Sequence, residues 1–316
     1  MNSANPVVGV ILLNWNGKED TQECIPSILA SGYPHISIYV VDNNSKDPQE
    51  IKEIKRRFPT VIDLPQTENL GFCEGNNVGI RKALEDGVDY VMLLNNDTTI
   101  QPDTIEGLVR NFPVLKDVGA VSPVIIDVPE MRIGFTGAKW IPEQAKFELL
   151  AAGSDYEALR KKEPYLSEFA NGCCLFTSAE ILNKVGLLDP RYFAYFDEAD
   201  WCKRLEKAGY CSYVVPEVFI YHKGSSSTPS LVGIYLMTRN RLLWMKEQLP
   251  FQIRKRSFSY LFKEIFWHIF NIMGLTKRNY TKQFSRALLQ GVKDSWRGRF
   301  GRWNASTEKI IFKKPK

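Results

Sequence analysis

Asn95-Asn96-Asp97 closes a short apolar run that starts at Tyr90, so a buried strand would deliver two amides and a carboxylate to the rim of a sheet. A carboxylate flanked by amides suits a hard divalent cation, Mg2+ or Mn2+, that keeps several waters and bridges a substrate's phosphates. Asn and Asp also collect in ordinary turns, and the motif alone does not separate the two readings. A second constellation lies in the other half of the chain. Asp197, Glu198 and Asp200 follow the aromatic run Tyr192-Phe193-Ala194-Tyr195-Phe196, which would desolvate at least one of them. Desolvation raises a carboxyl pKa and fits the group for general-base work. Acids gather at helix N-termini whatever their chemistry. Asp200 and Arg204, at i and i+4, read as a supporting ion pair. His222 ends the strand-like run from Val214, directly before a polar tail at residues 224–228. His35, in a turn, and His268, on an amphipathic segment, have no such setting.

Strands must bring these groups together. Val7 to Leu13 leads into Asn14-Trp15-Asn16-Gly17, and Ile36 to Val41 leads into Asp42-Asn43-Asn44-Ser45. Helical segments, about Lys18 to Ala30 and Asp47 to Phe58, follow them. Alternating strands and helices predict right-handed βαβ units and a parallel sheet. Ligands of such sheets sit outside the carboxyl ends of the strands, where three ends here offer Asn or Asp.

No G-x-G-x-x-G follows the first strand and no G-x-x-x-x-G-K-[ST] loop occurs anywhere, which argues against a dehydrogenase and a P-loop enzyme. Phosphate binding falls instead to a metal and to scattered amides. The segment from Glu68 to Asn77 has Gly71 and Gly75 for close backbone approach and Asn69, Asn76 and Asn77 as donors, before a helix from about Glu74 to Leu84. Phe169 to Phe176 reads as a strand with Gly172 near its centre, leading into a helix from Ser178 to Gly186. The mixed stretch from Pro123 to Pro164 reads as a sheet edge with an acceptor-side loop.

The series VILLNWNG, VVDNNS, ENLGFCEGNN and LLNNDT resembles family 2 glycosyltransferases of the GT-A fold, above all the rhamnosyltransferase-like group that decorates bacterial surface polysaccharides. The resemblance runs over about residues 6 to 245. It implies an α/β, Rossmann-like GT-A domain over 1–228, with a nucleotide-sugar half to about 115 and an acceptor half over 116–228, then a basic helical region over 229–316. Base and ribose fall to Asn14, Trp15 and Asp42, with Asn16, Asn44, Asn69, Gly71, Phe72, Asn76, Asn77, Asn96 and Asp97 completing the donor site. Asp97 matches the last carboxylate of a D-x-D-type metal motif, Asn95 stands at its first position, and His222 would complete the coordination. Glu198 matches the acid that deprotonates the acceptor in an E-D-x-D-x-x-x-R-like segment. The order Asp197-Glu198, where Glu-Asp is usual, keeps Asp197 as a rival base. Asn171, Gly172 and Cys173 fall on the acceptor side, and Asp200 and Arg204 on later positions of the same pattern. Arg239, in an R-N-R-containing helix, would meet the donor diphosphate or a lipid-linked acceptor, or simply lie on a helix surface.

The implied reaction is inverting transfer of a sugar from dTDP-rhamnose, or alternatively from a UDP-hexose, to a hydroxyl of a lipid-linked or polysaccharide acceptor. A sugar nucleotidyltransferase would need a Gly-rich loop with Arg and Lys after its first strand, which Asn14-Trp15-Asn16-Gly17 is not. Against a non-catalytic glycan- or membrane-binding protein stand the acids, the metal motif and His222.

The net charge of +5 hides an asymmetry: from Arg239 to the C-terminus, 19 basic residues face 4 acidic ones. Phe258, Leu261, Phe262, Ile265, Phe266, Ile269 and Phe270 recur there at helical spacing beside Trp267, interrupted by Lys263, Glu264 and His268, which makes a poor transmembrane span. An interfacial helix on an anionic membrane, or a helix packed on the catalytic domain or a second copy of the chain, fits the pattern. No recognition motif for nucleic acid accompanies the charge. Met1 to Pro6 lacks the features of a secretory signal, and six cysteines without C-x-x-C, two of them the adjacent Cys173-Cys174, fit reduced thiols. The expected location is cytoplasmic, peripheral on the inner face of a bacterial cell membrane.

Overall fold

The computed structural model describes residues 6–150, 155–224, 230–273 and 282–312. The expected polar tail after His222 lies, from residue 225 to 228, outside the described residues, as does most of the N-terminal segment. The first half alternates β1 (Val8–Asn14), α1 (Lys18–Leu29), β2 (Ile36–Asp42), α2 (Glu50–Arg57), β3 (Ile62–Pro65), α3 (Gly71–Glu85), β4 (Tyr90–Asn95), β5 (Thr98–Ile100) and α4 (Thr104–Asn111). Next come β6 (Val118–Asp127), β7 (Arg132–Phe135), β8 (Ala138–Ile141), β9 (Lys146–Leu149), α5 (Tyr156–Leu159), β10 (Tyr165–Ser167), β11 (Cys174–Ser178), α6 (Ala179–Val185), α7 (Asp197–Lys207) and β12 (Cys211–His222). The chain continues through α8 (Leu231–Gln248), α9 (Phe251–Ile272), α10 (Lys282–Trp296) and α11 (Ala305–Ile311).

The main sheet runs β10-β12-β6-β11-β4-β1-β2-β3, with β5 on β12 and β7 on β6, while β8 and β9 form a separate ribbon. β2, β1 and β4 are parallel, as the βαβ pattern requires, and β12 lies parallel to β6. β11 is antiparallel to both β4 and β6. The carboxyl ends of β1, β2, β4, β6 and β12 therefore share one edge with the start of β11. The inner strands are near-continuous apolar runs because helices cover both faces. Val10, Ile11 and Leu12 of β1 are wholly buried, each worth about 1.5–3 kcal/mol relative to exposure.

Two elements differ from the sequence reading. β3 has no apolar run, its residues alternate between half-buried and exposed, and it ends in Pro65, as an edge strand can. The run expected as a strand from Phe169 is a turn up to Cys173, closed by bonds from Cys173 N to Asn171 Oδ1 (2.8 Å) and from Cys174 N to the Asn171 carbonyl (3.1 Å). Only then does β11 begin.

α8 is buried on most of its circumference. Leu243, Trp244 and Met245 join the core of the sheet, whereas Ile234, Tyr235 and Leu236 pack with Ala287 and Leu288 of α10. α9 turns Leu261 and His268 inward and leaves Phe262 and Phe266 at 72% and 51% exposure. No helix of the described residues is long and apolar enough to cross a membrane.

Candidate active site

The register sets the donor-side rim. Asn14 stands opposite Asp42, and Leu13 opposite Asn95, so the polar ends of β1, β2 and β4 lie side by side. Asn14 is fully buried. Its Nδ2 donates to Asp42 Oδ1 (2.9 Å), Ser45 Oγ (3.2 Å) and Glu50 Oε2 (3.1 Å), and its Oδ1 accepts from Thr21 Oγ1 (2.9 Å). It fixes Asp42 rather than offering a free group of its own. Trp15 stands 55% exposed beside it. Asn16 and Asn44 take left-handed backbone (φ 54° and 61°), which asparagine tolerates and which turns the chain sharply at the rim. Asn96 Nδ2 donates to Thr21 Oγ1 (2.9 Å), tying the end of β4 to α1.

The asparagine-rich segment is a clasp. Asn69 Oδ1 accepts from Gly71 N and Asn43 Nδ2, while Asn43 Oδ1 accepts from Leu70 N. Asn76 donates to the Phe72 carbonyl one turn back. Asn77 exchanges hydrogen bonds with the backbone of Leu188 in both directions. Both are 2% exposed. The Asn77 amide is spent on Leu188 and Glu74, so the expectation that it presents a donor to a ligand is corrected, and Asn76 turns an amide hydrogen to its own helix. Gly71, at φ +78°, leaves no room for a Cβ, which would fall 2.6 Å from the Phe193 ring and carbonyl. That close approach lets Phe72 N and Cys73 N donate to Phe193 O.

Across the rim lies a cavity of about 310 Å³ lined by Phe72, Asn95, Asn171, Gly172, Cys173, Tyr195, Asp197, Glu198 and His222. Asp197 and Glu198 open α7, which is anchored by Trp201 Nε1 donating to the Gly186 carbonyl (2.7 Å). The preceding Phe193, Tyr195 and Phe196 are all left-handed (φ 66°, 69° and 68°), a conformation costing such side chains about 1–3 kcal/mol each. Burial, then the neighbouring Glu198 charge, pushes the Asp197 carboxyl well above the usual carboxylate range. Burial raises Glu198 as well, opposed by its backbone hydrogen bond and by one from Asp197. Both carboxyls are thus held above the ordinary carboxylate range, and Glu198 is the more exposed of the two. Asp200 is buried and takes Arg204 Nε (3.0 Å), Gln248 Nε2 (2.6 Å) and Tyr192 Oη (3.2 Å); Arg204 also donates to the Val185 and Leu187 carbonyls. Asp200 and Arg204 brace α7 and are not among the residues that line this cavity.

In the same cavity lining His222 stands between two carboxylates: Nε2 lies 3.4 Å from Asp97 Oδ1 and Nδ1 lies 3.3 Å from Asp127 Oδ1. Burial works against a charged imidazole, but the two carboxylates outweigh it and raise the His222 pKa. Asp127 had no sequence signal of its own. It ends β6, and the pairing of β6 with β12 places it opposite His222. Asp97 Oδ1 is buried without a hydrogen-bond donor, since the 3.4 Å contact is an ion pair and not a well-formed hydrogen bond. A buried carboxylate oxygen left without a donor fits a cation ligand. Among the described residues no group of three or more His, Cys, Asp or Glu side chains could hold a metal unaided. A cation here would thus need further oxygens, from water or a bound ligand, beyond these side chains.

The profile of Glycosyl transferase family 2 matches residues 9–186, more than half of the chain. The chain belongs to glycosyl transferase family 2. This family 2 glycosyltransferase is 26% identical over 241 residues to the N-acetylglucosaminyl-diphospho-decaprenol L-rhamnosyltransferase of Mycobacterium tuberculosis, covering 70% of this chain and 78% of the relative. It is 22% identical over 289 residues to the dTDP-rhamnosyl transferase RfbF of Shigella flexneri, covering 85% and 89%. Its fold matches the mannosyltransferase PcManGT from Pyrobaculum calidifontis, solved with GDP-Man and Mn2+, at a TM-score of 0.55 and 16% identity over 98% of this chain and 79% of that one. The glycosyltransferase fold is GT-A, as the mixed, mainly parallel sheet implies.

Arg239 departs from its expected place. It is 0% exposed and donates to the carbonyls of Gly301 (2.7 Å) and Tyr192 (3.1 Å), so it reaches neither a diphosphate nor an acceptor. An arginine inside a long helix reads as surface from sequence alone; the Arg191–Tyr192 turn and residues 300–301, both folded against α8, bury it.

Proposed function

We propose that the chain is an inverting glycosyltransferase that moves rhamnose from dTDP-rhamnose to a hydroxyl of a lipid-linked or polysaccharide acceptor. The observation that carries the proposal is that Asp197, Glu198 and His222, the last in contact with Asp97, line one and the same cavity. Trp15, exposed at the rim, and Asp42, at the buried end of β2, suit the base and ribose. Asp97 and His222 would hold a Mg2+ or Mn2+ together with the donor's diphosphate; when bound, such a cation supplies neutralisation of the leaving group's charge. Glu198 accepts the acceptor hydroxyl's proton, the freed oxygen electron pair forms the new bond to the anomeric carbon, and the bond to the diphosphate breaks on the opposite face. Asp197 keeps its own proton and supports the Glu198 carboxylate by hydrogen bonding. Asn171, Gly172 and Cys173 wall the acceptor side. Rhamnose is favoured by the names of the relatives from Mycobacterium tuberculosis and Shigella flexneri. In a panel of nucleotide-sugars with Mn2+, slow hydrolysis of dTDP-rhamnose above that of UDP-glucose and GDP-mannose is expected; preference for another donor overturns the sugar assignment, and no hydrolysis of any overturns the enzyme reading.

A lipid-linked acceptor places the enzyme at a membrane. Phe262 and Phe266 of α9 and Trp296 of α10 (86% exposed) are outward apolar side chains in the region where basic residues dominate, and Phe262 and Trp296 line one groove. That combination suits the headgroup–acyl boundary of an anionic bilayer. Phe262→Asp with Phe266→Asp should weaken binding to phosphatidylglycerol-containing vesicles by about 10²-fold or more, from two lost aromatic side chains at about 1.5–3 kcal/mol each. Undiminished sedimentation with such vesicles would leave this face for a second copy of the chain.

A further inference from the structure

We infer that Asn240 of α8 is a positioning residue for the reaction, holding the strained turn that presents Asp197 and Glu198; this rests on the reading of Glu198 as the base. The turn from Arg191 to Phe196 contains Phe193, Tyr195 and Phe196 with positive φ, and it runs directly into the acid pair. Such a conformation persists only where its surroundings over-determine it. The surroundings are specific. Asn240 Nδ2 lies 2.8, 2.8 and 2.9 Å from the carbonyls of Tyr192, Ala194 and Tyr195. Arg239 adds bonds to the Tyr192 carbonyl (3.1 Å) and, at 3.4 Å, to that of Arg191. The Phe193 carbonyl is taken from the other side by Phe72 N and Cys73 N at the start of α3. Every carbonyl from Arg191 to Tyr195 is thus held, and the holders come from two elements far apart in sequence.

Asn240 is suited to this task by chemistry as well as place. It is 0% exposed, its Oδ1 is itself fixed by Arg239 Nε at 3.0 Å, and its amide therefore points one way. An aspartate of the same shape would set a carboxylate against three carbonyl oxygens. The consequence is that the C-terminal helices hold the catalytic turn in register and are more than an appended surface.

The test compares Asn240→Ala and Asn240→Asp with the wild-type chain. Turnover of dTDP-rhamnose with Mn2+ should fall about 10²-fold, the cost of a misplacement near 1 Å at the reacting groups. The stoichiometry and Kd of dTDP with Mn2+ by calorimetry should stay unchanged, which separates mispositioning from a smaller folded fraction. Amide hydrogen exchange over residues 191–198 should accelerate while the strands β1, β2 and β4 keep their protection. Arg239→Lys, which loses the two-pronged contact but keeps the charge, should show a smaller change in the same direction. Turnover within threefold of wild type, or loss of turnover together with dTDP stoichiometry, would overturn the inference. The exchange measurement uses no sugar donor, so it tests the turn even if the donor assignment fails, a failure that would show instead as an inactive wild-type chain.

Discussion

Glu198→Gln is expected to lower sugar transfer by about 10³-fold, within the range for loss of a positioned general base, while leaving the Kd of the nucleotide-sugar within about twofold. The amide has nearly the shape of the acid and cannot take the acceptor's proton. Asp197→Asn should behave in the opposite manner. Burial and the Glu198 charge push the Asp197 carboxyl above its usual range, and in the proposed mechanism it keeps its proton; an asparagine amide can donate to Glu198 in its place. Transfer should stay within about tenfold of wild type, well short of the loss of a base. If Asp197→Asn is the dead variant and Glu198→Gln the active one, the roles are exchanged.

The same pair sets the pH behaviour. A base with a raised pKa loses activity at a higher pH on acidification than an ordinary glutamate, which titrates at about 4.3. The acid limb of kcat/KM should therefore lie above that value and vanish as a distinct limb in Glu198→Gln. Stability runs the other way. Both carboxyls hold protons more tightly in the folded chain than in the unfolded one, so their contribution is complete at pH below their unfolded pKa values and is lost as pH rises through the folded ones. Asp197→Asn should accordingly raise Tm at pH 8 and leave it nearly unchanged at pH 4.

Asp97→Ala is expected to cost about 10³-fold in kcat/KM, with most of the loss in donor binding and with the stimulation by Mn2+ abolished. The magnitude follows from several kcal/mol of charge stabilisation on the diphosphate. His222 would keep Asp127 as its partner, so the fold should survive and Tm should change little. Full activity of the wild-type chain in excess EDTA would refute this role for Asp97.

The sequence made the strand ends legible because each apolar run in a parallel sheet must stop where its polar turn begins. Asn14, Asp42, Asn95 and Asp97 were found in that way, and so was α7, because an aromatic run followed by acids marks a desolvated helix start. What those asparagines do was not legible. Asn14, Asn76 and Asn77 have the donors a nucleotide needs, yet each is closed off by Asp42, the Phe72 carbonyl or the Leu188 backbone. Their partners lie up to 111 residues away, and no local pattern encodes that distance. Asp127 stayed hidden for a related reason, since its meaning comes from lying beside His222 across two parallel strands. Arg239 and Asn240 read as ordinary helix residues until the turn from Arg191 to Phe196 folds against them. Short β3 escaped notice because an exposed edge needs no apolar run.

A structure of the chain with dTDP and Mn2+, read by anomalous scattering at the manganese edge, tests the central claim most directly. One manganese peak should sit against the Asp97 carboxylate and the nucleotide's diphosphate, with the Glu198 carboxylate facing that diphosphate across an open space large enough for a sugar ring. Nucleotide and manganese bound elsewhere, or Glu198 turned away from the diphosphate, would contradict it.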